Sequence, residues 1–514
     1  MRSLAMFAVG LVVRFVMFAV SGALVVGAGG CSLLLDRSTT QCKTDDDCTR
    51  FGGHPLCQEG VCVASGLGPE GCFEGTPMTQ SQFLNACSTA QNVPFDNCAR
   101  LGMCDPMASW PATVDPTPLS IPPLVNPVAA PTQNCSDVAA NRIYMYGTSD
   151  FAPMLKAAQP LLSAASPPYR AFFLNASSCA GVVSVFDSTK RLITNPAPGA
   201  TPNYAFYFDD AGNQQSCLLD SGGNTVDIGV SNLFAPTCNT STASYTPGTT
   251  VSDYLGAIVP FALSVPAQST QVSISAEAAH MVFGMSGRSG GVTGLKDATP
   301  WTDPTYYFIR NSGSGSTVLS AVMFNVPKTK FWGIDRLSTD NLRDSMLAST
   351  EAEASIGILS IVDADVNRGN LRSLYLQAPG QLSGYLPDSN KNSFDKMNVR
   401  DGHYPLWGYE HFFTPIGPDG VPSDAAKAFV TRFSIARLDQ RLLDNIITAS
   451  LVPQCAMKVV RTGEETTFMP NTGLQCGCYF DFKTTGKTSC QTCQSSSDCP
   501  ADHSACNYGY CEVN

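Results

Sequence analysis

The chain has 514 residues, a formal net charge of −11, and 44% hydrophobic against 14% charged residues. This composition excludes a disordered polyelectrolyte and predicts a folded protein large enough for several structural units. The acidic balance argues against nucleic acid and against adhesion to anionic lipid. It does not exclude a local anion site, where one guanidinium and a few amides act at closer range than the global field.

The chain opens with Arg2 and Arg14, an apolar run over 15–26 and Gly27-Ala-Gly-Gly30 before Cys31. A charged start, a short apolar core and small residues at its end predict an export signal over 1–30. The run is too short and too Gly-rich at its end for a membrane span. Small residues directly before Cys31 resemble a bacterial lipobox. That resemblance implies that Cys31 becomes an acylated N-terminus anchored to a bacterial membrane, in the periplasm or at the cell surface. Ala28 stands where the motif has Leu, so an ordinary cleaved signal is the alternative. Setting Cys31 aside, the 21 cysteines leave an even number, as a full disulfide set in an oxidising compartment requires.

Both ends carry the same small pattern. Near the start it is Cys42-x5-Cys48-x8-Cys57-x4-Cys62, and near the end Cys493-x5-Cys499-x6-Cys506-x4-Cys511. Asp47 and Asp498 precede the second cysteine of each, and Gly60 and Gly509 stand two before the last. A duplicated disulfide knot follows. Cys476-Gly-Cys478 with Cys490-x2-Cys493 has zinc-like spacing, but in an exported chain disulfides are favoured. Asp45-Asp46-Asp47 lacks the remaining ligands of a calcium loop and reads as a solvated turn. The expected order is a Cys-rich region over 31–105, a Pro-rich extended linker over 106–140, a central domain over 141–450 and a Cys-rich end over 451–514.

Strands are predicted at 143–147, 169–174, 204–208, 226–230, 306–310, 356–361 and 371–376. Helices are predicted at 151–162, where Pro160 should kink or end the turn, and at 275–283, 317–324, 340–348 and 423–434. Such alternation indicates an α/β sandwich. Three Gly/Ser loops follow predicted strands and open helices: Gly147-Thr-Ser-Asp150, Asn175-Ala-Ser-Ser-Cys-Ala-Gly181, and Arg310-Asn-Ser-Gly-Ser-Gly-Ser316. An arginine fork, small hydroxyls and free amides at a helix N-terminus suit an oxyanion.

Five landmarks in this order, Gly147-Thr-Ser-Asp150, Asp227-Ile-Gly-Val-Ser-Asn232, Ile258-Val-Pro-Phe261, Arg310-x3-Ser314-Gly-Ser316 and Tyr404-Pro-Leu-Trp407, resemble the type II periplasmic binding proteins. The likeness is to the phosphate-binding components of ABC transporters, and it covers about 141–450. It implies an α/β fold of two lobes closing on a ligand, with the inserted lobe over about 259–390. It also implies ligand contacts from Thr148, Ser149, Ser178, Ser231 and Asn232 in one lobe, and from Arg310, Ser312, Ser314, Gly315 and Ser316 in the other. The phosphate binders have Asp where Asn232 and Ser312 stand here. A carboxylate there accepts a proton from the ligand, so its absence implies a site that tolerates a fully ionised oxyanion such as sulfate, or another anion.

Other chemistries are weaker. Gly287-Arg-Ser-Gly-Gly291 matches the hydrolase pattern G-x-S-x-G but follows a helix rather than a strand, and reads as a surface loop. The five histidines form no metal set, and His280 reads as a satisfied core residue. Cys179 is expected in a disulfide, and Cys217 and Cys238 are expected to pair. The function expected is an exported, lipid-anchored solute-binding protein that captures a phosphate-like or other tetrahedral oxyanion for an ABC permease. No catalysis, cofactor, metal or nucleic-acid partner is expected. A surface interaction protein on the same scaffold is the alternative.

Overall fold

A computed structural model describes residues 56–58, 61–63, 72–105, 109–119, 129–195, 203–238, 250–433, 438–473 and 475–513. The export signal, Cys31, Cys42, Cys48, the Asp45–Asp47 triplet and His54 lie outside the described residues. Two compact units are separated at Phe73 and Glu74. In the first, β1 (Leu56–Gln58) and β2 (Val61–Val63) form an antiparallel hairpin with Cys57 opposite Cys62.

The second unit begins with helix α1 (Gln80–Leu84), strand β3 (Asn92–Pro94) and helix α2 (Asn97–Leu101). Cys98 and Cys104 are bridged to each other, and Cys72 and Cys87 are each held in a disulfide. This stretch is tied into the body: Asn97 Nδ2 donates to Glu277 Oε2 at 2.9 Å, and Gln381 Nε2 donates to the Leu84 carbonyl at 2.8 Å. Part of the Pro-rich stretch is held too. Val114 N–H donates to the Gly284 carbonyl at 2.8 Å, and Trp332 Nε1 donates to the Val114 carbonyl at 3.0 Å. Composition could not reveal these ties, because the partners lie far away in sequence.

The first lobe is built on β4 (Arg142–Thr148), helix α3 (Ala152–Ser163), β5 (Arg170–Ala176), helix α4 (Ser178–Phe186), β6 (Ala205–Phe208), β7 (Gln214–Cys217) and β8 (Ile228–Ser231). β4 pairs in parallel with β5 and β8, and Ala171 to Leu174 of β5 are all buried, as expected for strands covered on both faces. Helix α3 runs through Pro160 to Ser163, further than the proline led one to expect. Phe151 packs edge-on or tilted against Phe173, Phe412 and Phe429, which anchors the turn after β4. The expected Cys217–Cys238 bridge is not formed. Cys217 ends β7 at the sheet edge and joins Cys135, whereas Cys238 follows β8 and joins Cys179 at the start of α4.

Strand β9 (Val251–Pro266) belongs to both lobes. Val251 to Pro260 pair with β17 (Trp407–Pro415), and Phe261 to Ser264 pair with a strand of the second lobe. The change of partner falls at Pro260-Phe261, where proline has no N–H for a continuing ladder. The second lobe contains β10 (Ser273–Ser275), α5 (Ala276–Met285), β11 (Tyr307–Ile309), α6 (Gly315–Met323), β12 (Ile334–Asp335), α7 (Thr339–Leu347), β13 (Ile356–Ser360) and α8 (Ile361–Val366). It continues with β14 (Leu371–Ser373), β15 (Tyr375–Gln377) and β16 (Ser383–Tyr385), and β16 pairs with β3. The strand expected over 371–376 is therefore two short ones. β17 then returns the chain to the first lobe between β8 and β9. The architecture is α/β with two lobes sharing β9.

Helices α9 (Asp424–Val430), α10 (Gln440–Thr448) and α11 (Gly477–Thr485) follow. The C-terminal end carries the disulfides Cys455–Cys476, Cys478–Cys490, Cys493–Cys506 and Cys499–Cys511. Every cysteine of the zinc-like set is in one of these bridges. Strands β18 (Ala505–Asn507) and β19 (Tyr510–Glu512) form a hairpin with Cys506 opposite Cys511. That register matches Cys57 opposite Cys62, so the repeat read in the sequence is a repeat of structure in its hairpin.

Candidate functional site

Three loops converge where β4, β5 and β11 end, as expected at the carboxyl edge of such sheets. Thr148 closes β4, Ser178 opens α4, and Arg310 to Ser316 link β11 to α6. Ser177 caps α4 by accepting from Ala180 N–H, whereas Ser314 makes no side-chain cap on α6. The first amides of α6 are therefore left for another acceptor, at the positive end of the helix dipole.

From the second lobe, Arg310 is 7% exposed. Its Nη1 donates to Thr339 Oγ1 at 2.9 Å, while its buried Nε has no partner. Ser314 and Ser316 hydroxyls lie 3.2 Å apart, and Thr317 Oγ1 donates to the Arg310 carbonyl at 2.8 Å, fixing the loop to the helix. Burial pushes the guanidinium below its ordinary value, an effect opposed by Asp335, Asp150, Asp340 and Asp363.

From the first lobe, Thr148 Oγ1 donates to Asn232 Oδ1 at 2.8 Å, and Ser178 Oγ lies 3.5 Å from the same oxygen. Asn232 Nδ2 donates to Oε2 of the buried Glu410 at 2.9 Å. The lobes meet directly: Ser149 Oγ is 3.2 Å from Thr339 Oγ1, and Cys179 N–H donates to the Gly313 carbonyl at 2.9 Å. Gly315 backs onto this contact. A Cβ on it would lie 2.8 Å from Ser178 Oγ and 2.9 Å from Asn232 Cβ. Gly315→Ala is expected to wedge the lobes apart, enlarging the radius of gyration in solution scattering and weakening ligand binding at least about tenfold. An unchanged scattering profile with unchanged binding would refute the wedge.

Thr148, Ser149, Ser178, Asn232, Arg310, Ser314, Gly315 and Ser316 are thus brought together. Ser231 and Ser312 are not. Successive strand residues face opposite sides, and Ser231 Oγ turns to the Leu233 carbonyl at 3.1 Å. Ser312 is exposed on a turn in which Asn311 Oδ1 accepts from Gly313 N–H at 3.0 Å. Thr339 and Glu410 were not read from the sequence. Thr339 follows Ser338, whose side chain accepts from Asn341 N–H, so a helix-start signal was present without any sign of its target. Glu410 is an isolated acid in an apolar strand, which is itself a signal.

Two carboxylates, Asp150 and Glu410, stand beside and behind this cleft. Desolvation, with Asp363 second, pushes Asp150 up to about 6; hydrogen bonding to Ser360 and the Arg310 charge oppose this. The unfolded chain ionises Asp150 from about pH 4, while the folded one holds its proton to about 6. Stability therefore falls as pH rises through that window, and the full cost is present above it. Asp150→Asn is expected to stabilise the protein by on the order of 2 kcal/mol at pH 7, a gain that vanishes below about pH 4. Urea unfolding at the two pH values checks it.

Gly287 to Gly291 lie in turns after α5, with positive φ at Gly287, Gly290 and Gly291. His280 is buried, with its ring nitrogens 2.8 Å from the Phe324 and Pro111 carbonyls.

No protein-family model matches the chain, and no curated protein matches it. Solved structures similar to it include an ABC-type phosphate transport receptor from Vibrio cholerae, at 12% identity and TM-score 0.36 over 60% of this chain and 99% of that one. A human phosphate-binding apolipoprotein is similar at 14% identity and TM-score 0.39, over 60% of this chain and 90% of that one. A phosphate-binding protein from Stenotrophomonas maltophilia is similar at 12% identity and TM-score 0.35, over 61% and 90%.

Proposed function

We propose that this chain is an exported, lipid-anchored solute-binding protein whose lobes close on a tetrahedral oxyanion of the phosphate or sulfate type, for delivery to an ABC permease. The observation that carries the reading is the buried Arg310 guanidinium, its Nε without a partner, beside the uncapped start of α6 with Ser314 and Ser316. A planar cation, two hydroxyls and free helix amides satisfy several oxygens at once without a carboxylate competing in direct contact. The role is binding, not catalysis.

Calorimetric titration of the protein lacking 1–30 with phosphate and with sulfate tests it. Binding of one oxyanion per chain supports the reading; no heat and no thermal stabilisation with either anion overturns it. Acylation of Cys31 is tested separately by fatty-acid labelling, which Cys31→Ser should abolish.

The second reading, a surface interaction protein, is favoured by the matching cysteine hairpins at the two ends. Deleting 32–71 separates the two readings: a solute binder keeps its anion affinity, while an adhesion module loses attachment to its partner. A longer N-terminal deletion would not, because α1, β3 and α2 are built into the body.

A further inference from the structure

Glu410 stands on β17 behind the cleft, fully buried, with Oε2 accepting from Asn232 Nδ2 at 2.9 Å and Oε1 without a partner. Asn232 Oδ1 accepts from Thr148 Oγ1 at 2.8 Å, and Thr148 Oγ1 lies 3.3 Å from Asp150 Oδ2. The four side chains make one hydrogen-bonded line from the core to the cleft.

Its direction depends on one proton. A carboxylate at Glu410 only accepts, so the amide must turn its NH2 towards it and its carbonyl towards Thr148. The single Thr148 proton is then committed inwards. A carboxylic acid at Glu410 can donate instead to Asn232 Oδ1. The amide turns over, Nδ2–H donates to Thr148 Oγ1, and the Thr148 proton faces Asp150 or a ligand.

We propose that Glu410 is a positioning residue of the oxyanion site: its proton sets the direction of the Glu410–Asn232–Thr148–Asp150 line. The site then offers the Thr148 hydroxyl to an oxyanion only when Glu410 is neutral, and capture takes up one proton from solvent when it is not. The inference rests on the oxyanion reading above. Burial holds the Glu410 carboxyl well above the usual range, with the Asp150 charge adding to it and the Asn232 bond opposing. Asp150 is the titratable group that faces it across the line, with Arg310 beyond Asp150 in the other lobe. Gly256 of β9 packs near Glu410 Cβ and brings no charge. His411 follows on the opposite side of β17, paired through Nδ1 with Asp253 at 2.9 Å.

Calorimetry with sulfate, which does not titrate between roughly pH 5.5 and 9, tests this in buffers of different ionisation enthalpy. Phosphate is run in parallel with its own proton release subtracted. Wild type should lose affinity towards about tenfold per pH unit at the alkaline end and take up about one proton there. Glu410→Gln, neutral at every pH and able to donate, should flatten the slope and bring proton uptake near zero. Thr148→Val cuts the line at its cleft end and should do the same, which keeps the test open if Glu410→Gln does not fold. Asp150→Asn should leave the alkaline slope in place. A wild-type affinity independent of pH, or a slope retained in Glu410→Gln, overturns the relay and leaves the oxyanion reading standing. No binding of either anion at any pH overturns both.

Discussion

Arg310→Ala is expected to weaken oxyanion binding by roughly 10²- to 10³-fold, while the unliganded protein keeps its melting behaviour. Truncating one side of a buried charge pair costs on the order of 2–5 kcal/mol, and every 1.4 kcal/mol is about tenfold. Little compensates for it. Arg310 makes one side-chain bond, to Thr339 at 2.9 Å, and no carboxylate is within ion-pair distance of it among the described residues. The loss therefore falls on the ligand rather than on the fold, because removing the cation also removes the cost of burying it. Arg310→Lys should recover only part of the affinity, since an ammonium lacks the planar fork. Calorimetry with phosphate and sulfate measures both variants. An alanine variant that binds within about threefold of wild type would remove Arg310 from the site.

Lys396→Met is expected to destabilise the protein by about 3–5 kcal/mol, the range for breaking a buried ion pair from one side. Lys396 is fully buried, and its Nζ donates to Asp365 Oδ2 at 2.7 Å and to Asp388 Oδ1 at 2.8 Å. Arg368 joins the same two carboxylates at 2.6 Å. Desolvation pushes Asp388 up despite both cations, so losing one of them leaves two nearly dry carboxylates sharing a single guanidinium. Methionine keeps most of the stem's volume and isolates the charge effect from the cavity effect. Adding Asp388→Asn should recover much of the loss, because the two sites are coupled. Urea unfolding of the single and double variants decides it; a single-variant change below about 1 kcal/mol would show that the network is solvated.

Much of the site was legible because its signals are local. Gly/Ser loops after apolar runs mark strand ends and helix starts within ten residues of sequence, and those around Thr148, Ser178 and Arg310 were read in this way. Helices α5, α6 and α7 lie close to where periodicity put them, since an amphipathic face is written in the same stretch that folds. The crossing strand β9, the return strand β17 and helix α10 were not read. Their pattern is set by neighbours on both faces or by a second lobe, so no clean period survives.

The sequence by itself determined the α/β class, the cysteine repeat and the loop that carries Arg310, because each depends on residues close along the chain. Tertiary structure alone decided the disulfide partners Cys135–Cys217 and Cys179–Cys238, the binding of the N-terminal segment to the second lobe, and the exclusion of Ser231 and Ser312 from the cleft. It also decided that Asn232 meets Glu410, 178 positions away. Buried polar groups must find partners wherever the fold brings them, and that search is made in space rather than along the chain.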